Sequence, residues 1–173
     1  IPTIAAYGRF HQQKGFDLLI KAMAKLPPNR VELILAGEGD QGPELAALAA
    51  PLEHVHLVGE VHDVPQFLSR GGLVIIPSRW EPFGLTCLEA IAAGKGVIAA
   101  NIDGLGEQLA GLDRQGGYQL INELTVEGIE SAINEAITEP LKITASERLS
   151  SVQTWESMLE RWQQVLEDVL NNK

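Results

Sequence analysis

Leu73-Val74-Ile75-Ile76-Pro77-Ser78-Arg79-Trp80-Glu81-Pro82-Phe83-Gly84-Leu85-Thr86-Cys87-Leu88-Glu89-Ala90-Ile91-Ala92-Ala93-Gly94 is the stretch that decides the fold. Four apolar residues read as a strand, two prolines and a glycine break the chain, and Leu85–Ala93 follows at helix length. The strand is apolar throughout rather than alternating, as expected where helices cover both faces of a sheet.

Outward from it the same unit repeats. Strand candidates are Thr3–Tyr7, Val31–Ala36, Val55–Val58, Leu73–Ile76, Val97–Ala100 and Tyr118–Ile121. Helix candidates between them are Phe16–Leu26, Glu44–Ala50, Val64–Arg70, Leu85–Ala93 and Gly106–Leu112. This alternation predicts an α/β fold, a Rossmann-like doubly wound parallel sheet of about six strands with helices on both faces. Past Asn122 the pattern becomes helix only, with Val126–Thr138 closed by Pro140 and an amphipathic Trp155–Leu170 N-capped by Thr154. No repeat or internal linker interrupts residues 1–173, which read as one domain with C-terminal helices from about 125.

Bulk properties narrow the function. The 173 residues carry a formal net charge of −10, with 45% apolar and 21% charged residues. That field disfavours nucleic acid and anionic lipid as main partners, while leaving room for a small anion held by local basic residues. The single cysteine, Cys87, reads as a small core residue in a reducing, cytoplasmic setting. No signal peptide or bilayer-length apolar run is visible, and a chain opening on Ile1 reads as an excised or processed piece of a longer protein.

Ligands of an open parallel sheet bind beyond the strand carboxyl ends. Those ends carry Gly8-Arg9…Lys14-Gly15, Gly37-Glu38-Gly39-Asp40, Gly59-Glu60-Val61-His62-Asp63, Pro77…Gly84 and Asn101…Glu107. Arg9 and Lys14 leave the same strand end and form a candidate anion pair; a solvated loop arginine and an exposed lysine satisfy the same spacing. Gly84 opens a helix whose free amides suit an anion and allow close approach of a ligand. Glu81 and Glu89, on either side of that break, suit a polyhydroxyl ligand, although each alone also reads as an ordinary surface glutamate. Gly37-Glu38-Gly39 could wrap a nucleotide, but a lone pair of glycines more often marks a tight turn. His11, His54, His56 and His62 lack metal-ligand spacing and read as loop or surface residues. The Gly8-Arg9 turn is not the GxGxxG dinucleotide fingerprint and no GxxxxGK[ST] is present, which disfavours ordinary NAD and ATP sites. Without Asp-x-Asp there is no sign of a metal-assisted diphosphate site.

Taken in order, Gly8-Arg9…Lys14-Gly15, Gly37-Glu38-Gly39 and Pro77-Ser78…Glu81-Pro82-Phe83-Gly84-Leu85…Glu89-Ala90…Gly94 resemble the C-terminal domain of retaining GT-B glycosyltransferases of family 4, the glycosyl transferases group 1. Glu81 and Glu89 match that family's E-x7-E pair, and the likeness runs to Thr154-Trp155-Glu156. The resemblance implies a hexosyl donor carried as a UDP-, GDP- or ADP-sugar, with no metal or other cofactor. By the same likeness, Arg9 and Lys14 would bind the diphosphate and Glu89 the ribose. Glu81 would lie beside the donor sugar, and the backbone of Gly8, Phe83, Gly84, Leu85 and Thr86 would line the site with Val61 near the base. An N-terminal acceptor domain, absent from this chain, would complete catalysis and make any membrane contact. Two departures fall near the sugar: Asp103-Gly104-Leu105-Gly106-Glu107 replaces Gly-Gly-x-Pro-Glu, and Gly94-Lys95-Gly96-Val97 replaces Gly-x-Pro-Val. A non-catalytic binding module of the same fold is the alternative, followed by an epimerase or phosphorylase on it.

Overall fold

The computed structural model describes residues 1–110, 117–141, 143 and 163–164. Its strands are β1 (Thr3–Tyr7), β2 (Glu32–Ala36), β3 (Val55–Val58), β4 (Leu73–Ile76), β5 (Gly96–Ala100) and β6 (Tyr118–Ile121). The helices are α1 (Phe16–Met23), α2 (Gly42–Ala49), α3 (Val64–Ser69), α4 (Leu85–Ala92), α5 (Asp103–Ala110) and α6 (Val126–Thr138), with a short 3-10 turn at Gln12–Lys14 ahead of α1. The sheet runs β3-β2-β1-β4-β5-β6, and every pairing is parallel.

Strand side chains alternate between two apolar clusters, one on each face. Ile4, Ala6, Leu33, Leu35, Ile75 and Ile98 join Phe16, Leu19, Leu45 and Ile129 on the face covered by α1, α2 and α6. Ala5, Ile34, Val74, Ile76, Val97 and Ala99 join Phe67, Cys87, Ile91, Leu105 and Leu109 on the face covered by α3, α4 and α5. Period-2 geometry therefore puts an apolar residue into one core or the other at each step, which accounts for the uninterrupted apolar runs. Cys87 is a fully buried member of the second core, and burial pushes its thiol up to about 12, so it stays protonated.

Helix ends depart from expectation for local reasons. Helix α1 stops at Met23, because Lys25 and Leu26 donate instead to Ala22 and Met23 carbonyls in a tightened exit ahead of Pro27-Pro28. Helix α2 begins two residues early, with Pro43 in its first turn where a missing N–H costs nothing. Helix α5 starts at Asp103, not Gly106, since the Leu105 and Gly106 amides both donate to Ile102. Burying Leu105 outweighs the poor propensity of its glycine neighbours. The expected end of that helix at Leu112 and the helix over Trp155–Leu170, apart from 163–164, lie outside the described residues.

The sheet order reverses between β1 and β4, and these two strands meet at only two register positions, Ile4 with Leu73 and Ala5 with Val74. By contrast β1 pairs with β2 along all five of its residues. The carboxyl ends of β1 and β4 thus part company, and the loops that follow them face each other across the gap. Gly15 closes one side of it. Its φ is +66°, and a Cβ there would stand 2.0 Å from the Pro77 carbonyl oxygen. Gly15→Ala should cost about 2–4 kcal/mol, the sum of a left-handed conformation and an overpacked contact. Urea denaturation with an unchanged m-value would register that loss; a loss under about 0.5 kcal/mol, within the range of an ordinary surface substitution, would mean the two loops do not depend on this contact.

Candidate active site

The two switch-point loops are strapped together by polar contacts. The Arg79 amide donates to the Gln13 carbonyl at 2.7 Å, and the Gln13 side-chain amide donates to the Trp80 carbonyl at 3.0 Å. Arg79 grips Asp17 on α1 bidentately, at 2.8 Å to each carboxylate oxygen, and also donates to the Gln12 carbonyl at 2.7 Å. Planar fork geometry makes this kind of pair both strong and directional. The Arg79 hydrogen bond, acting against the opposing effect of burial and aided by its charge, holds the Asp17 carboxyl below its ordinary value, and the reciprocal interaction raises Arg79. His11 N-caps the 3-10 turn through its ring Nδ1 and meets the Trp80 ring edge-on.

The strap brings Lys14 to Glu81. The lysine Nζ lies 2.6 Å from Glu81 Oε2, although 67 residues separate them. Glu81 is 9% exposed, so its charge needs partners. Besides Lys14 these include the Ser78 hydroxyl at 3.3 Å and the Gly84 amide at 3.4 Å. Two residues expected to serve separate parts of a ligand, the diphosphate and the sugar, thus touch each other.

Gly84 initiates α4 with φ +71°. Its lack of a side chain also has a packing reason. A Cβ there would meet the Leu105 Cδ2 at 2.8 Å and the Gln108 side chain at 3.1 Å, so the glycine makes room for α5. Gln108 in turn donates to the Phe83 carbonyl. Phe83 and Leu85 project from this corner 55% and 62% exposed, with Trp80 beside them at 44%; Thr86, in the first turn of α4, is half-buried. The departure at Gly94-Lys95-Gly96 is absorbed locally: Lys95 and Gly94 amides donate to Ala90 and Ile91, a Schellman exit from α4, and Gly96 enters β5 opposite Leu73.

Glu89 is an exposed residue of α4, and its Oε2 accepts a 2.7 Å hydrogen bond from the hydroxyl of Tyr7, the last residue of β1. Burial, then the Glu89 contact, raises Tyr7 well above its ordinary value, so the hydroxyl remains a donor.

Beyond the ends of β1 and β2 a cavity of about 360 Å³ is lined by Tyr7, Gly8, Arg9, Gly37, Glu38 and Val61, among others. Its size lies in the range of small-ligand pockets. The loop after β2 folds over the loop after β1: the Phe10 amide donates to Glu38 and the Gln41 amide to Phe10. Arg9 is exposed at this cavity and makes no ion pair among the described residues. A larger cavity, about 890 Å³, runs along α6 to Pro140 and Leu141 and contains none of these residues.

Of the residues expected to form a site, Lys14, Glu81 and Gly84 are in contact at the switch point, while Gly8, Arg9 and Val61 share the adjoining cavity. Sequence reading missed Tyr7, Arg79, Asp17 and Gln108; a tyrosine closing an apolar strand just before Gly8-Arg9 was the one visible signal. His54 is a loop residue as expected, in the turn before β3, but it is buried rather than at the surface. It is 6% exposed and bonds through Nε2 to the Met23 carbonyl. Among the described residues no group of three or more metal-ligating side chains converges, and no helix is long and apolar enough to cross a membrane.

Comparison with known proteins gives this geometry a family. Residues 1–139 match the model described as glycosyl transferases group 1, and the chain belongs to that family. It is 34% identical over 125 residues to the lipopolysaccharide core biosynthesis mannosyltransferase LpsB of Rhizobium meliloti, covering 66% of this chain and 35% of the relative. A glycogen synthase of Mycobacterium tuberculosis is 31% identical over 163 residues, covering 87% of this chain and 39% of the relative. Among solved structures, Anabaena Alr3699/HepE in complex with UDP and glucose superposes with a TM-score of 0.77 at 26% identity, over 96% of this chain and 47% of that one. The structural neighbours are GT-B glycosyltransferases, and the Rossmann-like parallel sheet is theirs. The chain thus spans about a third of the curated relatives and about half of the structural ones.

The Asp17–Arg79 pair has a pH signature. A carboxyl depressed on folding contributes stability that is present above its unfolded value, near 3.8, and is lost as pH falls through the lower folded value. Wild type should therefore exceed Asp17→Asn in stability at neutral pH, the gap closing below about pH 4. Denaturation curves from pH 7 to pH 2.5 measure it, and a gap independent of pH would show that the charge of Asp17 is not what holds the strap.

Proposed function

We propose that this chain is the donor-binding, C-terminal half of a family 4 retaining glycosyltransferase, moving a hexosyl group from a nucleoside diphosphate sugar to an acceptor hydroxyl. The observation that carries the reading is the meeting of Lys14 with the buried Glu81 at the switch point, beside a cavity that holds Arg9. Related structures add support: Anabaena Alr3699/HepE has been solved in complex with UDP and with UDP-glucose.

In this reading the unliganded site is internally neutralised. A donor diphosphate bound beside Lys14 shares the ammonium with Glu81, and Arg9 adds a second cation from the cavity side. The amides at the start of α4, at Phe83, Gly84, Leu85 and Thr86, face the sugar and distal phosphate with the positive end of the helix dipole. Glu89 takes the ribose hydroxyls, and Gly8 and Val61 border the nucleoside. As the glycosidic bond to the diphosphate stretches, negative charge grows on the leaving group and positive charge at the anomeric carbon. Lys14 and Arg9 stabilise the first, and the Glu81 carboxylate stabilises the second. Preset charges do this without reorganising water, and the reading requires no metal ion.

The acceptor and the alignment of its hydroxyl belong to an N-terminal domain in this reading, since transfer needs both reactants held in one geometry. The chemistry is that of a cytoplasmic enzyme using an activated sugar. The acidic overall charge argues against nucleic acid as partner, and any membrane contact falls to the N-terminal domain.

Calorimetric titration with UDP, GDP, ADP and their sugar conjugates tests the site. At least one nucleotide should bind, and Lys14→Ala, checked for retained helicity and melting, should weaken it about tenfold or more. Binding of none, or binding indifferent to Lys14→Ala, would sink the assignment. The 173-residue chain alone should transfer no sugar to any acceptor; turnover by the purified chain would show that a second domain is dispensable.

A further inference from the structure

Tyr7 stands at the junction of two features that the reading above treats separately. Its side chain lines the 360 Å³ cavity with Gly8, Arg9 and Val61, and its hydroxyl reaches Glu89 on α4 at 2.7 Å, across 82 residues of sequence. The ring is fixed from behind by Phe67 of α3, edge-on with centroids 5.6 Å apart. Phe67 is 4% exposed and belongs to the core, so the tyrosine projects from a rigid base.

Glu89 without that bond is an exposed helix glutamate with three side-chain torsions to populate. A vicinal diol needs both carboxylate oxygens presented in one plane at one place. We infer that Tyr7 is a positioning residue of the nucleotide site, pinning the Glu89 carboxylate by one lone pair of Oε2 so that its remaining acceptor sites face the ribose diol of a nucleoside diphosphate. This rests on the assignment of Glu89 to the ribose.

The chemistry is consistent at each atom. Each carboxylate oxygen accepts two hydrogen bonds, so the tyrosine hydroxyl and a ribose hydroxyl fit on the same oxygen. Burial and the neighbouring carboxylate raise Tyr7, so its hydroxyl stays the donor of this bond. The tyrosine sits at the carboxyl end of β1, the strand that borders the switch point, so the same strand end supplies Gly8 and Arg9 to the cavity and orients the carboxylate opposite. Ribose recognition is thereby tied to the position of β1 rather than to the rotamer preferences of a surface helix.

The test compares UDP, GDP and ADP with their 2′,3′-dideoxy analogues by calorimetry on wild type, Tyr7→Phe and Glu89→Gln. Phenylalanine keeps the ring and its contact with Phe67, so affinity for the dideoxy analogue serves as the internal check on the fold. Wild type should prefer the ribonucleotide, Tyr7→Phe should narrow that preference about tenfold while leaving dideoxy binding unchanged, and Glu89→Gln should remove it. An undiminished preference in Tyr7→Phe overturns the role of Tyr7 while the ribose assignment stands. Equal losses for both nucleotide forms mark Tyr7 as structural and also overturn it. No ribose preference in wild type, or one that survives Glu89→Gln, overturns the ribose assignment and the inference with it.

Discussion

The structure depends on the divergence of β1 and β4. Two parallel neighbours that pair at Ile4–Leu73 and Ala5–Val74 and then separate leave a gap at the one place where the sheet order reverses. A gap flanked by two loop starts would fill with water and let the loops move independently. Instead the chain crosses it with main-chain and side-chain bonds: Gly15 against the Pro77 carbonyl, Arg79 N–H to Gln13, and the Arg79 fork on Asp17. None of these groups is needed to build either strand. Their effect is to fix two loops from opposite sides of the switch point, and with them Lys14 and Glu81, as one unit.

In the proposed reading, that fixed unit is what lets a chain with a net charge of −10 take an anionic ligand. The long-range field is unfavourable, but the Debye length at physiological salt is about 8 Å, and a local cation in a partly shielded cleft dominates within it. Lys14 is only 19% exposed in its side chain, and Glu81 11%, so their pair is partly removed from water. A buried carboxylate this close to an ammonium lowers the cost of holding the lysine in place before a ligand arrives. It also sets a competition, because an incoming diphosphate must be shared with, or displace, the carboxylate. Arg9, exposed on the cavity side, carries no such internal partner among the described residues, so the two cations reach the ligand by different routes.

Much of this was legible in the sequence. Uninterrupted apolar strands separated by helix-length segments fixed six parallel strands to within a residue at each end, because both sheet faces are apolar and no alternation competes with that reading. The loops carrying Arg9, Lys14 and Glu81 were also identifiable, since strand carboxyl ends are where ligands bind in such sheets. What was hidden lies at long sequence separation or in packing. Asp17–Arg79 and Tyr7–Glu89 are separated by 62 and 82 residues, and nothing joins either pair until the topology sets them side by side. Gly84 was assigned to ligand access because a glycine before a helix commonly serves that end, while tight packing from Leu105 and Gln108 is invisible without α5 in place. His54 is the loop histidine it looked like, but nothing in the sequence shows the Met23 carbonyl that it meets in the interior.

The contacts at the switch point divide into two kinds with different consequences for function. Gly15 against Pro77, Gly37 against the Gly8 carbonyl and Gly84 against α5 are approaches in which any side chain would collide. They define the frame and say nothing about which sugar or base it serves. Lys14, Glu81, Tyr7 and Glu89 are side-chain groups mounted on that frame, and in the proposed reading they meet the charge and hydroxyls of the ligand. A frame set by backbone contacts tolerates replacement of the groups around it without losing its shape. Relatives named as a mannosyltransferase and a glycogen synthase are 34% and 31% identical to this chain, in keeping with one fold serving different activities. In the proposed reading, identity of the sugar is set by groups around the diphosphate anchor. On that same reading the exposed corner of Trp80, Phe83 and Leu85, and the neighbourhood of Asp103-Gly104 where the chain departs from the family pattern, border the sugar. Gly104 lies under the Pro82 carbonyl, 2.9 Å from where a Cβ would stand, so substitutions there act on the glutamate corner through the backbone.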